Sequence, residues 1–558
     1  MNPLKNNSSN DGPFSSIPEQ PPMEGTSTAV SAGRDVSVYR QNESLFFCLP
    51  DEQKSMIVRY LGFREITRLA KTCKYLHDLV KEEKALEKSW YRRFPSAYQN
   101  PLKTLVRTKD EQQLRDWLKT FADKDTIESL LKQKESTFFP HQLFFTSSKL
   151  MSQCKTFNLV KKVEIPHTED INAASFSPDS CHVVTVGFGE AVKITGQKTD
   201  RSWEAKLDLP DEGVVFSATF SADGYQMATT GASRHTKICV LEDDGSWKVK
   251  TTLSHKYTFS STNFSADGRY LLSASFDKTL KIYGQKTDGS WEAKYTIWHN
   301  SPVQWASFSP DSSHLSASGA DKTVTIYGQE DDGSWKVKAT IPHNESLAVV
   351  KATFSPDGSH VVTAGADCEA KIYGLQADGS WDKIAIIPHD NLVESATFSP
   401  DGGHVVTISG KTVKIHGLQT DGSWKEEYTF AHNARIISAS FSPDSNHMVT
   451  TSADNTAKIH SLQANGSWDV KTTICHQDHV LSAAFSPDSC LVVTASDDKT
   501  AKIYGLGLKG SWEKKAIISH REGISLAAFS PDGRNVLTVS ADHTATITEL
   551  MEERLMIE

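Results

Sequence analysis

The 558-residue chain contains no run approaching the roughly 18 consecutive apolar residues that a membrane helix requires, so no membrane role is expected. Its 38% hydrophobic and 23% charged content is that of a water-soluble globular protein. The first forty residues are rich in Asn, Ser, Pro and Gly and hold no apolar stretch of the signal-peptide type; their composition predicts a disordered tail over 1–40. Cysteine is sparse and scattered. The eight thiols (Cys48, Cys73, Cys154, Cys181, Cys239, Cys368, Cys475, Cys490) include no Cys-x-x-Cys pair, which points to free cysteines in a reducing cytoplasm. Positive charge is not in excess either. The net charge of −9 argues against nucleic acid as a partner, because phosphate binding is driven by clustered Lys and Arg. Nucleophile-elbow Gly-x-Ser-x-Gly, phosphate-loop and His-Glu-x-x-His patterns are absent, so no catalytic residue, metal or cofactor is expected.

What is present is a repeat. Phe-Ser-(Pro/Ala)-Asp starts at Phe176, Phe220, Phe264, Phe308, Phe354, Phe398, Phe441, Phe485 and Phe529, at spacings of 44, 44, 44, 46, 44, 43, 44 and 44 residues. A period held so tightly in the forties, with strand-like content, marks stacked propeller blades. In the block from His299, the β-branched and apolar stretches Val303 to Phe308, Leu315 to Ser318 and Val324 to Tyr327 are separated by Ser309-Pro310-Asp311-Ser312 and Ala320-Asp321-Lys322-Thr323, as antiparallel strands and tight turns require. Asp331-Asp332-Gly333-Ser334 then leads to an alternating fourth strand from Trp335 to Ile341.

The Trp of that strand recurs at Trp203, Trp247, Trp291, Trp335, Trp381, Trp424, Trp468 and Trp512, eight times against nine units. Phe157 to Ile165 has the same strand character and also runs toward a His. It is expected to supply the missing strand to the last unit and so to close the ring, leaving no open sheet edge. The expected fold class is mainly β with an α-helical N-terminal part: a closed propeller of nine four-stranded blades by count, or eight with one irregular unit.

Eight histidines share one repeat position: His167, His255, His299, His343, His389, His432, His476 and His520. Each is about one blade from the next, so they cannot converge on one ion. With the turn aspartates and the strand spacing, they make the region from about Phe157 to Leu550 resemble the WD-repeat family. In that family a His before the first strand, a Ser or Thr in the second and an Asp in the turn before the third share a buried hydrogen-bond network. The resemblance gives that part to the eight histidines, with Asp211 standing in their place in the second unit, and to Asp277, Asp321, Asp367, Asp454, Asp498 and Asp542. This chain departs from the pattern twice. Tyr283-Gly284, Tyr327-Gly328, Tyr373-Gly374 and Tyr504-Gly505, with His416 and His460, replace the Trp-Asp pair, and the turn aspartate gives way to Gly189, Ser233 and Gly410. The network is expected to be incomplete in the first, second and sixth blades.

Ahead of the repeat the periodicity becomes helical. Leu49-Pro50-Asp51-Glu52 opens a helix, Ile57, Tyr60 and Leu61 share a face, and Gly62 stops it. Ile66, Leu69, Ala70, Cys73, Leu76 and Val80 keep helical spacing, and Leu86, Trp90 and Phe94 form a third stretch. These residues resemble an F-box of three helices. F-box segments insert into the Skp-type adaptor of cullin ubiquitin ligases, which implies Leu49, Pro50, Ile57, Leu61, Leu69 and Cys73 as adaptor contacts; an internal three-helix core is the bland reading of the same positions. Leu114, Trp117, Leu118 and Phe121, then Ile127, Leu130 and Leu131, predict a helical spacer. The expected domains are a tail at 1–40, the F-box at 41–98, a helical linker at 99–150 and the propeller at 151–558.

That order of modules resembles the substrate receptors of cullin-RING ligases. It implies a subunit without chemistry of its own that binds a Skp-type adaptor, and through it a cullin, while holding an unidentified protein target on the ring. The alternative is an interaction scaffold without ligase partners. On the face formed by the loops before the first strand and before the third, Arg234, Lys256, Tyr257, Arg435 and Arg521 break the repeat and are candidate target contacts, suited to an acidic or phosphorylated segment. His479, Trp305 and Lys351 also depart from their repeat positions. The near-uniform blades and the lost Trp-Asp pair point to recent duplication and to a bacterial effector imitating a host ligase subunit in the host cytosol.

Overall fold

In the computed structural model the described residues are 157–552, apart from 189–190, 199, 211–213, 233, 243, 287–288, 331, 344–350, 464 and 508–509, together with Arg115, Glu128 and Leu131. The tail, the F-box with its six candidate adaptor contacts and most of the spacer therefore lie outside the described residues. Arg115, Glu128 and Leu131 are helical, and Arg115 pairs with Glu128.

Each repeat unit folds as a four-stranded antiparallel sheet because its turns are chemically fixed. In the turn after Phe308, His314 N donates to Ser309 Oγ (2.9 Å) and Ser313 N to Asp311 Oδ1 (3.1 Å), which ties the first hairpin. At the outer turn, Ser334 N donates to Asp332 Oδ1 (2.8 Å), and Gly333 takes the left-handed conformation (φ 80°) that a side chain would resist.

Among the described residues there are thirty-six strands in nine sheets, numbered here in chain order. Blade 1 is β2 (Ile171–Phe176), β3 (His182–Gly187), β4 (Ala191–Gln197) and β5 (Trp203–Pro210), hydrogen-bonded in that order. Seven sheets repeat it. Blade 9 takes β34 (Ile524–Phe529), β35 (Asn535–Ser540) and β36 (Thr544–Glu552) from the end of the chain and β1 (Phe157–Pro166) from before the first repeat, in the order β1-β36-β35-β34. The nine-bladed count is the one observed. β1 runs antiparallel to β36 from Phe157 opposite Glu552 to Pro166 opposite Thr544, and Lys162 pairs with Glu549 (2.5 Å).

Burial follows position in the sheet. The second strand is sheathed on both faces, as His182–Gly187 shows, whereas the fourth alternates toward solvent, as in Trp468–Cys475. Adjacent blades are joined by the repeated tryptophan. Trp247 sits edge-on to Phe220 of its own blade (5.8 Å between centroids) and to His182 of the blade before (5.5 Å). Trp381, Trp424, Trp468 and Trp512 repeat this with His314, His360, His404 and His447. At the ring closure Leu159 stands opposite Leu550 as Trp512 stands opposite Leu506, and Phe157, two residues earlier, is buried in one cluster with Leu550, Phe529 and Leu491, so the closing strand supplies its aromatic from a neighbouring position.

Candidate functional site

The loop before each first strand and the turn before each third strand lie at one end of the blade, because the histidine of the first bonds the aspartate of the second. In blade 7, His432 Nδ1 lies 3.0 Å from Asp454 Oδ2 and Nε2 lies 2.9 Å from Thr450 Oγ1, while Asn433 N donates to the same carboxylate (2.9 Å). The same arrangement links His255 with Ser273 and Asp277, His343 with Thr363 and Asp367, His476 with Thr494 and Asp498, and His520 with Thr538 and Asp542. Burial lowers the pKa of His432, so the ring is neutral: Nδ1–H donates to the carboxylate, and Nε2 is left to accept from the hydroxyl. Burial alone would push the Asp454 carboxyl up. Hydrogen bonds from Thr456, the Asn433 amide and His432 outweigh it and hold Asp454 at about 2, and the equivalent donors hold Asp277 and Asp498 at about 2.

In blades 1 and 6, among the described residues, the His167 and His389 rings keep only the hydroxyl bond, to Thr185 and Thr407 (both 2.8 Å). Both imidazoles are pushed down to about 4, by burial first and then by Lys193 and Lys414. Asp211, Ser233 and Gly189 lie outside the described residues. A further break was not anticipated. In blade 4 the second-strand position that should hold Ser or Thr is Ala317, and His299 Nε2 turns instead to Tyr327 Oη (3.1 Å). The signal was in the repeat itself, since Ala317 stands 44 residues after Ser273.

This frame presents the variable residues. Arg234, Lys256 and Tyr257 come together: His255 N donates to the Arg234 carbonyl (3.1 Å), and Lys256 and Tyr257 follow directly. Arg435 and Arg521 belong to blades 7 and 9. The Arg435 guanidinium is held by Glu394 of blade 6, through Nε at 3.2 and 3.1 Å and Nη2 at 2.8 Å, which leaves it less charge to offer a visitor. Arg521 contributes its backbone N–H to Asp542 (3.2 Å). Trp305 and Lys351 occupy the same position in neighbouring inner strands, and Lys351 Nζ lies 4.9 Å from the Trp305 ring centroid. In five other blades that position is a serine, with Ala173 and Leu526 in blades 1 and 9, and it can stitch blade to blade, as where Ser261 Oγ and Ser482 Oγ accept the Ala306 and Ala527 amides (3.1 Å each), so the pair is a seam contact between blades.

Sequence reasoning passed over the exposed aromatics of this end, Phe188, Phe276 and Trp298, although each departs from its repeat position. One set of metal-type ligands gathers among the described residues. Asp478, His479 and Asp497 bring their donor atoms within 4.8 Å of one another, but all three are exposed, as solvated loop charges are without an ion.

The WD domain, G-beta repeat model matches six segments, at 247–284, 291–328, 335–374, 424–461, 468–505 and 512–547, and the F-box-like model matches 46–93. This chain is an F-box/WD-repeat protein. The three units that the WD model passes over are the first, second and sixth, the three without a turn aspartate. F-box and WD-repeat modules are interaction modules, and the architecture of this F-box/WD-repeat protein is that of a protein-binding receptor. No curated protein matches the chain. Among solved structures, Sqt1 from Chaetomium thermophilum aligns over 61% of this chain and 96% of its own, at 15% identity and a TM-score of 0.47; likeness at that level bears on no functional argument.

Proposed function

We propose that this F-box/WD-repeat protein is the substrate-recognition subunit of a cullin-RING ubiquitin ligase of the Skp–cullin–F-box type. The observation that carries the reading is the F-box-like segment at 46–93 in the same chain as a closed ring of nine blades. The F-box docks a Skp-type adaptor, and through it a cullin, by burying helix faces in a groove; the ring holds a target protein. Transfer of ubiquitin belongs to the other subunits. The described cysteines, Cys181, Cys239, Cys368, Cys475 and Cys490, are free, which suits work in a reducing cytosol. The reading is tested by mixing the full chain with purified adaptor and cullin and following co-elution on a sizing column. A ternary complex supports it. Separate elution of the full chain would leave a scaffold that binds proteins without a ligase.

A further inference from the structure

Blade 3 and its borders carry a combination of side chains that no other blade repeats in full, although Lys322, Lys411 and Lys499 match Lys278, Arg521 matches Lys256 and Phe188 matches Phe276. Four bonds hold it together: His255 N to Arg234 O (3.1 Å), Lys256 N to Asp277 Oδ2 (2.9 Å), Phe276 N to Thr258 O (3.2 Å) and His299 N to Lys278 O (2.9 Å). Arg234, Lys256, Tyr257, Phe276, Lys278 and Trp298 thereby lie along one continuous run of backbone at the same end of the ring. Trp298 is 76% exposed, Tyr257 52% and Phe276 47%, and the three cations are exposed as well.

The repeat supplies an internal control. Opposite the residue that begins each third strand, where blade 3 has Trp298, other blades place Pro210, Ser254, Pro342, Pro388, Ala431, Cys475 or Ser519. At the position of Phe276 stand Ala232, Ala320, Ala366, Ala453 and Ala541, with Asp497 in blade 8 and an exposed Phe188 in blade 1. The blade architecture therefore does not need these rings, and their exposure has to be explained by something outside the blade. Exposed apolar surface rimmed by polar groups is characteristic of interaction sites, and Trp, Tyr and Arg dominate binding energy where they occur.

Charge narrows the visitor. Among the described residues none of Arg234, Lys256 and Lys278 has an ion-pair partner. The strip's one carboxylate, Asp277, has a side chain only 5% exposed and is committed to His255, the Lys256 amide and Thr279. The strip is thus cationic and aromatic on a chain of net charge −9. Three cations are few for a nucleic-acid backbone, whose binding grows with the number of neutralised phosphates. They suit carboxylates placed beside an apolar anchor, each forming charge-assisted hydrogen bonds at the edge of an aromatic floor.

We propose that this strip is a docking site for an extended, unphosphorylated acidic peptide segment bearing one large apolar side chain. The proposal rests on the receptor reading in that the segment would belong to the target. The probe is a random library of twelve-residue peptides selected on the immobilised full chain, with adaptor binding measured separately, so that the docking site and the ligase reading can fail independently. Recovered peptides are expected to be enriched in Asp and Glu flanking Leu, Ile, Phe or Trp. Their binding should fall at least tenfold in Trp298→Ser and in Lys256→Glu, each checked for an unchanged melting curve, and stay unchanged in Arg435→Glu. Failure to recover such peptides would overturn the proposal. So would equal binding to Trp298→Ser, binding that requires a phosphoryl group, or a preference for oligonucleotides or a second copy of this chain.

Discussion

Ser180 and Asp532 are 352 positions apart in the chain and 3.0 Å apart in space, where the Ser180 hydroxyl oxygen accepts the Asp532 amide proton. The same bond joins Asp401 to Ser445 and Asp444 to Ser489 between consecutive blades. Blade 9 therefore meets blade 1 by the contact that joins ordinary neighbours. Ser180, Ser445 and Ser489 hold positive φ (64°, 60° and 63°), where glycine stands in several other units; the strained conformation is what delivers the hydroxyl to the adjoining blade.

Ring closure depends on β1, and its loss should be measurable. A chain starting at residue 168 lacks the strand opposite β36 and exposes an unpaired edge. It is expected to melt at lower temperature and to scatter light on concentration, while a chain starting at residue 151 stays monodisperse. Equal melting and equal scattering of the two would show that the first strand does not hold the ring shut.

The blade 4 defect is repairable. Ala317→Ser offers His299 the hydroxyl that its counterparts use, with Asp321 already in the turn, and a hydrogen bond of this kind is worth about 0.5–1.5 kcal/mol. A small rise in Tm is expected by calorimetry. Asp454→Ala, in a complete network, strips His432 and the Asn433 amide of their acceptor and should cost about 1–3 kcal/mol. A fall in Tm for the first, or no change for the second, would contradict the network account.

Acid should loosen the ring before the carboxylates titrate. His460 is fully buried with its ring 3.9 Å, centroid to centroid, from Phe430, and among the described residues neither ring nitrogen has a hydrogen-bond partner. Burial pushes it down to about 3, and pushes His416, His167 and His389 to about 4. The unfolded chain takes up these protons near the ordinary value of 6.5 and the folded chain does not, so stability falls as pH drops from about 6.5 toward 4. Asp277, Asp454 and Asp498, held at about 2 against 3.8, take more of it below pH 3.8. A Tm profile flat between pH 7 and 4 would contradict this. His460→Leu should make the upper part of the decline shallower.

The sequence carried the architecture well because its period is set by turns that any blade needs. The Phe-Ser-Pro-Asp and Gly-Ser-Trp elements located the strands, and the shortfall of one tryptophan located the closing strand, which has Leu159 in the tryptophan's register and buries Phe157 two residues earlier. Sites were legible only where one position could be compared across units. That comparison exposes Gly410, whereas Ala317 is a small residue among many small residues of the second strands and shows as a break only beside the His299 that lacks its hydroxyl. Arg435 read as an odd cation; Glu394, which holds it, lies 41 residues earlier on another blade, a pairing that only the fold brings about. Trp298 has no signature of its exposure in the sequence, since that exposure depends on which edge of the blade the strand occupies.

The most direct test is to titrate the full chain with purified Skp-type adaptor and to repeat the titration with Leu61→Asp and, as a control, Trp298→Ser. A charge on the F-box face that enters the adaptor should weaken adaptor binding at least a hundredfold, while the ring variant binds as the parent does. No adaptor binding by the parent chain, or binding indifferent to Leu61→Asp, would contradict the receptor account.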